Sequence, residues 1–194
     1  MISEDIIERW HNSELLLLGG SAGSFKIIFA AVKLLTPKIN KAVIIIIHRK
    51  RNFASEIEKL FSENTKLKIN ELCDKDNIYK NTIYVVPANY HTLIEEGRTF
   101  SLDVSDPIWY SKPSIDATFE TAADVYKEKC TAILLSGANQ DGAAGLLKLR
   151  NNGALTIVQN PDEAEMAEMP QAAIDKEAAE YVFDTEDIYE LLKA

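Results

Sequence analysis

Short, strongly apolar runs alternate with longer amphipathic segments along most of the chain. The runs are continuously apolar, which predicts strands of a parallel sheet whose two faces are both covered by helices. Five strands are predicted in this way, at Leu15–Leu18, Val43–Ile47, Ile83–Val86, Thr131–Leu135 and Leu155–Val158. The remaining pattern predicts helices over Phe25–Leu35, Phe53–Ser62, Ser114–Lys129, Gly142–Asn151 and Glu186–Lys193.

One segment between the third and fourth of these strands has a different pattern. Thr92–Ile94 and Thr99–Leu102 flank the glycine-containing turn Glu95–Arg98, which is typical of an antiparallel hairpin. His91, at its start, is expected on this hairpin, with a position in a cleft as the alternative. The predicted fold class is therefore α/β, with three layers and a doubly wound, mainly parallel sheet that carries an antiparallel edge hairpin. Residues 1–194 are predicted to form a single domain.

Composition and charge narrow the classes of partner. Of the 194 residues, 46% are hydrophobic and 26% are charged, as expected for a domain with a sizeable core. A formal net charge of −9 disfavours nucleic acid and anionic membranes as partners. The apolar runs are far shorter than the ~20 residues that cross a bilayer, and Met1–Asn12 does not resemble a signal peptide. We therefore expect a cytoplasmic protein without membrane insertion.

The cysteines and histidines predict neither a disulfide framework nor a metal site. Cys73 and Cys130 are the only two cysteines, and we expect both to be reduced thiols. Histidines and cysteines do not occur at the close spacing of metal ligands. No cofactor is therefore expected.

The first candidate site is a glycine-rich turn that follows the first predicted strand. Gly19–Gly23 fits the pattern G-x-S-x-G, in which Ser21 would sit on a sharp turn between a strand and a helix. The following helix offers free N–H groups that can stabilise an oxyanion. The alternative is a glycine turn that holds a phosphate, although the usual nucleotide-binding patterns are not satisfied. The motif alone leaves both interpretations open.

His48 and Asp141 favour the catalytic interpretation. His48 ends the second predicted strand and Asp141 lies in the turn after the fourth, so both are expected at the sheet edge where Ser21 lies. An imidazole there can take a proton from a serine hydroxyl, and a carboxylate can hold the imidazole in the required tautomer. A packed histidine and a simple helix N-cap are the alternatives. The convergence of three strand ends favours a Ser-His-Asp triad, in a chain order that differs from that of α/β-hydrolases.

Several further stretches match a known family when they are taken in order. They are Gly19–Gly23, His48, Tyr84–His91, Lys112–Asp116, Ser136–Leu146 and Asn152–Gln159, followed by Met169 and Pro170. Together they resemble the catalytic domain of CheB, the family of chemoreceptor protein-glutamate methylesterases, from about Leu15 to Leu192. No single stretch is specific, but their order and spacing are.

The resemblance implies a serine hydrolase with Ser21 as nucleophile, His48 as base and Asp141 as orienting acid. It also implies an oxyanion site made of backbone N–H groups, assigned to Ala22 and Ala138. The implied substrate is the methylated helical bundle of a chemoreceptor, from which glutamyl methyl esters are hydrolysed with release of methanol, and glutamine deamidation is a further implied activity. The alternatives are a catalytically idle chemosensory binding module and an esterase or deamidase of another substrate.

The chain departs from the family pattern at several positions. Ala22 and Ser24 stand where the family often has threonine and glycine, and Gly137–Asn139 replaces a common Gly-Met-Gly. The familiar enzyme also carries an N-terminal receiver domain, whereas only residues 1–14 precede the first predicted strand here. We therefore expect either constitutive activity or regulation by a separate receiver protein.

Overall fold

The computed structural model describes residues 2–48 and 54–194, and the following elements lie within them. The strands are β1 (Leu15–Gly20), β2 (Ala42–Ile47), β3 (Lys68–Glu71), β4 (Thr82–Val85), β5 (His91–Ile94), β6 (Phe100–Asp103), β7 (Cys130–Leu134), β8 (Leu155–Gln159) and β9 (Tyr181–Phe183). The helices are α1 (Glu4–Asn12), α2 (Phe25–Leu34), α3 (Ala54–Ser62), α4 (Ile115–Tyr126), α5 (Ala143–Asn151), α6 (Glu168–Asp175) and α7 (Thr185–Lys193). The start predicted for the second helix, Phe53, lies outside the described residues.

Seven of the strands form one parallel sheet in the order β3-β4-β2-β1-β7-β8-β9. Helices α4, α5 and α6 contribute to the apolar core on one face, and α1, α2, α3 and α7 contribute to the core on the other. The predicted three-layer, doubly wound α/β fold is confirmed.

Strand β1 shows why the predicted strands are continuously apolar. Leu15 and Leu17 belong to the core formed with α4 and α5, whereas Leu16 and Leu18 belong to the opposite core formed with α1 and α2. Because successive side chains of a strand point to opposite faces, a strand covered on both sides must be apolar at every position.

The order of the strands also determines where a site can form. From β1, the first half of the chain builds the sheet outwards through β2 and β4, and the second half returns to the other side of β1 as β7. The connections leaving β1 and β7 therefore separate at the carboxyl ends of these strands. In open parallel sheets, this is where binding crevices form.

The predicted hairpin forms, but not as an extension of the main sheet. Strands β5 and β6 make a separate two-stranded antiparallel sheet, and the edges of the main sheet are β3 and β9. Threonines of α4 hold the hairpin in place, since Thr118 Oγ1 donates to the carbonyl oxygen of Thr92 at 2.8 Å and the N–H of Ile94 donates to Thr121 Oγ1 at 3.0 Å.

The apolar pattern did not predict α1, α6 and the two edge strands. Strand β3 has no fully buried residue and β9 is three residues long, so neither shows a continuous apolar run. Cys73 and Cys130 are free thiols, as expected, with Cys73 exposed and Cys130 buried. Within residues 2–48 and 54–194, no helix is long and apolar enough to span a membrane.

Candidate active site

Ser21 lies in the turn between β1 and α2, at the carboxyl end of the central strand. Its N–H donates to the carbonyl oxygen of Ser136, beyond the end of β7, at 2.9 Å. Its own carbonyl oxygen accepts from the N–H of Ser24 at 3.1 Å and from Ser24 Oγ at 2.7 Å. These bonds fix the backbone of the turn and leave the Ser21 side chain half-buried at the sheet edge.

Gly23 allows this turn to pack closely against the connection after β7. Its φ of +82° favours glycine, and a Cβ atom there would lie 2.6 Å from Ser136 Oγ and 2.5 Å from Glu165 Cβ. The Ser136 hydroxyl donates to the carbonyl oxygen of Ala22 at 2.7 Å and accepts from the N–H of Met166 at 2.9 Å. The turn after β1 and the segment around Met166 are thus connected through Ser136.

His48 and Asp141 meet at this edge although 93 residues separate them in the chain. His48 Nε2 lies 2.8 Å from Asp141 Oδ2, and the side chains are 10% and 0% exposed. The N–H of His48 donates to the carbonyl oxygen of Gly20 at 3.3 Å, which places His48 beside the residue that precedes Ser21. The structure therefore brings the predicted base and the predicted acid together.

The Asp141 carboxylate is held by the N-terminus of α4. It accepts from Ser114 Oγ at 2.9 Å and from the N–H groups of Ile115 at 2.7 Å and Asp116 at 2.9 Å, besides His48. Burial alone would raise the pKa of Asp141, but the hydrogen bonds from His48 and from these backbone amides outweigh burial and lower it. The positive end of the helix also favours a carboxylate there. Asp141 is therefore ionised at neutral pH.

A simple N-cap role for Asp141 is excluded by the start of α5. The N-cap of that helix is Gly142, with a φ of +91°, and no side chain among the described residues caps the helix. A Cβ atom on Gly142 would lie 2.7 Å from Ile115 Cγ2, at the N-terminus of α4. The close approach of these two turns is what directs Asp141 towards α4 and His48.

For the neutral imidazole of His48, the tautomer follows from its partners. Because an ionised carboxylate only accepts hydrogen bonds, Nε2 carries the proton shared with Asp141, and Nδ1 is left with a lone pair. Compared with chymotrypsin-like hydrolases, the two ring nitrogens have exchanged roles. Nδ1 is thus the atom that can act as a base.

The hydroxyl bound to that base is not the one predicted. Ser111 Oγ lies 3.1 Å from His48 Nδ1 and donates to it. Within the described ranges, the Ser21 hydroxyl makes no hydrogen bond, so the structure places Ser21 at the same edge without joining it to His48. Ser111 has no sequence signal comparable to G-x-S-x-G, although the neighbouring motif Lys112–Asp116 pointed to this region.

Ser111 ends a tight turn that lies beside the site. The N–H of Ile108 donates to the carbonyl oxygen of Ser111 at 3.1 Å, and the reverse bond is 2.9 Å long. Trp109 and Tyr110 occupy the middle of the turn with φ values of +49° and +60°. Asn139 anchors the turn, because its Nδ2 donates to the carbonyl oxygen of Trp109 at 3.2 Å while its Oδ1 accepts from the N–H of Asp141 at 3.1 Å.

Asp116 forms a second link between this turn and the helices. Its carboxylate accepts from the N–H of Gly145 at 2.8 Å and from Trp109 Nε1 at 3.3 Å. Burial, together with the nearby carboxylate of Asp141, raises the pKa of Asp116 to about 6. Two adjacent buried carboxyl groups therefore have opposite pKa shifts, since only Asp141 faces both the imidazole and two backbone N–H groups of α4.

The two residues assigned to the oxyanion site are both exposed at the sheet edge. Ala22 follows Ser21, and Ala138 lies between β7 and α5. Neither N–H donates a hydrogen bond to a residue that the structure describes, so both remain available to an incoming oxygen atom.

His91 lies at the start of the β5–β6 hairpin, as predicted, but its side chain is buried and supports the site. Its Nδ1 accepts from the N–H of Ser114 at 3.1 Å, so Nε2 carries the proton and donates to the carbonyl oxygen of Asp106 at 3.0 Å. His91 thereby holds Ser114, which in turn donates to Asp141. The stretch Tyr84–His91 had indicated the region, but not this role.

Fold and site together define an α/β protein with a histidine–aspartate pair and a candidate nucleophile at the carboxyl ends of central strands. The family model of the CheB methylesterases matches residues 16–192, and the chain belongs to this family.

Individual relatives agree with this assignment. A Leptospira interrogans protein, provisionally named a protein-glutamate methylesterase/protein-glutamine glutaminase, is 38% identical over 180 residues, which are 93% of each chain. A Clostridium acetobutylicum protein with the same activities in its name is 23% identical over 175 residues, and the match covers 90% of this chain but 51% of that protein. The crystal structure of the Thermotoga maritima CheB methylesterase catalytic domain has the same fold, with a TM-score of 0.87, 24% identity and coverage of 93% and 97% of the two chains.

Proposed function

We propose that the chain is a protein-glutamate methylesterase that hydrolyses glutamyl methyl esters of chemoreceptors with Ser21, His48 and Asp141 as its catalytic triad. Membership of the CheB methylesterase family and the names of the relatives support the reaction. The observation that carries the assignment of residues is the 2.8 Å hydrogen bond between His48 and Asp141 at the edge where Ser21 lies.

In the proposed mechanism, Ser21 Oγ attacks the ester carbonyl carbon while His48 Nδ1 takes its proton. Asp141 holds the imidazole and offsets the positive charge that forms on it. The N–H groups of Ala22 and Ala138 stabilise the oxyanion. His48 then returns the proton to the departing methoxide, and methanol leaves. Water attacks the acyl-enzyme with His48 as base, which releases the glutamate carboxylate and regenerates Ser21.

The same groups can catalyse deamidation of a glutamine side chain. In that reaction the leaving group is ammonia, and the acyl-enzyme is identical, because both substrates present the same γ-glutamyl carbonyl carbon. The names of the relatives combine the two activities. The proposed macromolecular partner is the methylated helical bundle of a chemoreceptor.

Methanol release from a methylated chemoreceptor tests this proposal. We expect release by the wild type and a loss of at least roughly a thousandfold in Ser21→Ala, the usual effect of removing a triad member. Ser62→Ala is the matched control, because Ser62 is exposed at the end of α3 and should leave the rate unchanged. Receptor binding without turnover by the wild type would instead support an idle binding module, and turnover of short esters alone would indicate another substrate.

A further inference from the structure

We infer that Ser111 is a positioning residue that occupies the base nitrogen of His48 in the resting enzyme and must be displaced before Ser21 can react. This inference rests on the proposed function and adds a competing hydroxyl to it. The observation behind it is the 3.1 Å hydrogen bond between Ser111 Oγ and His48 Nδ1, together with the unbonded state of the Ser21 hydroxyl among the described residues.

The competition follows from the chemistry of a neutral imidazole. With Nε2 protonated and bound to Asp141, Nδ1 offers one lone pair in the plane of the ring. A single lone pair can accept one strong hydrogen bond, so Ser21 and Ser111 cannot both donate to it with good geometry. Transfer of the Ser21 proton to Nδ1 therefore requires the Ser111 hydroxyl to turn away.

The position of Ser111 is fixed by its surroundings. The reciprocal backbone hydrogen bonds between Ile108 and Ser111 close the turn. The Asn139 side chain connects the turn to the backbone of Asp141. Trp109 ties it to Asp116 at the start of α4. The hydroxyl thus faces the imidazole because three segments that also build the site hold it there.

Ser111 is poorly placed to be the nucleophile itself. It does not lie in a G-x-S-x-G turn between a strand and a helix. Ser21, by contrast, lies in such a turn, and the N–H of Ala22 after it makes no hydrogen bond to a described residue, so it can stabilise an oxyanion. Ser111 therefore acts through His48, by occupying the lone pair of Nδ1 until substrate arrives.

This role gives an unusual expectation: removing the hydroxyl should make Ser21 more reactive. In Ser111→Ala, the second-order rate constant for inactivation by a small fluorophosphonate should rise about fivefold, which corresponds to a neutral hydrogen bond of ~1 kcal/mol. A small reagent is chosen because it does not depend on receptor docking. Ser105→Ala is the control, since Ser105 lies in the same loop and its hydroxyl donates to the Asp103 carboxylate instead of His48.

A second variant, Ser111→Thr, distinguishes the effect of losing the hydroxyl from the effect of changing the packing. Ser111→Thr keeps a hydroxyl on Cβ and should react at about the wild-type rate. If Ser111→Ala reacts no faster than the wild type, or if Ser111→Thr reacts as fast as Ser111→Ala, the inference is overturned while Ser21 remains the nucleophile. If the wild type is not labelled at Ser21 at all, the proposed function and the inference both fail.

Discussion

At the scale of single residues, the site depends on how the Asp141 carboxylate is surrounded by donors. Its two oxygens accept from His48, from the Ser114 hydroxyl and from two backbone N–H groups of α4. All of these partners donate hydrogen bonds, so the group that they surround must act only as an acceptor. The carboxylate is therefore specified by its environment, and the same environment fixes which nitrogen of His48 is the base.

Asp141→Asn should accordingly abolish most of the activity without removing the fold. The amide nitrogen of asparagine would face a donor, which favours the other tautomer of His48 and takes the lone pair away from Nδ1. We expect kcat/KM to fall by roughly ten-thousandfold. Asp124→Asn, on the exposed face of α4, is the control and should have no effect on kcat/KM. A loss of less than about tenfold in Asp141→Asn would show that His48 does not need this partner.

The raised pKa of Asp116 predicts a pH-dependent contribution to stability. Because its pKa is about 6 in the folded protein and lower in the unfolded chain, the folded state binds this proton more tightly. The stabilising contribution is complete below about pH 4 and is lost as the pH rises through about 6. The free energy of unfolding of the wild type, relative to that of Asp116→Asn, should fall by roughly 1–3 kcal/mol between pH 4 and pH 7. Denaturant unfolding measures this difference, and a pH-independent difference would contradict the assignment.

At the scale of elements, α4 is the part of the fold that organises the site. Its N-terminus binds Asp141, its threonines hold the β5–β6 hairpin, and its side packs closely on α5. The closeness of α4 and α5 depends on Gly145, where a Cβ atom would lie 2.5 Å from Phe119 Cβ and 3.0 Å from the carbonyl oxygen of Asp116. A shift of α4 against α5 would therefore move the donors away from Asp141.

Gly145→Ala tests the role of this contact. The added methyl group meets the base of a fully buried aromatic side chain and backbone, so the helices must separate, at a cost of typically 1–3 kcal/mol. We expect a lower midpoint of thermal unfolding and reduced esterase activity. Gly97→Ala is the matched control, because a Cβ atom at Gly97 meets nothing within 4 Å. Equal stability of the two variants would show that the α4–α5 contact is not tight.

The elements also show how far the sequence could predict the structure. Strands β1, β2, β4, β7 and β8 are detectable because both their faces are buried, and the ends of β1, β2 and β7 located Ser21, His48 and Asp141. The role of Ser111 could not be predicted, since it depends on a turn in which Trp109 and Tyr110 have positive φ values without a glycine to signal it. The binding of Asp141 by α4 depends on packing between α4 and α5, which no local pattern reveals.

At the scale of the whole molecule, the strand order brings together three distant parts of the chain. Ser21 follows β1, His48 follows the neighbour of β1 on one side, and Asp141 follows the neighbour on the other. The three residues of the proposed triad therefore come together only when both β2 and β7 have paired with β1. The turn that ends at Ser111 also reaches this edge, where Ser111 Oγ lies 3.1 Å from His48 Nδ1.

Identification of the serine that forms a covalent adduct is the most direct test of this account. The wild type would be treated with a fluorophosphonate and digested, and the labelled peptide identified by mass spectrometry. We predict one adduct, on Ser21, that is lost in Ser21→Ala and forms far more slowly in His48→Ala. An adduct on Ser111, or labelling unchanged by Ser21→Ala, would contradict the assignment of Ser21 as the nucleophile activated by His48 and Asp141.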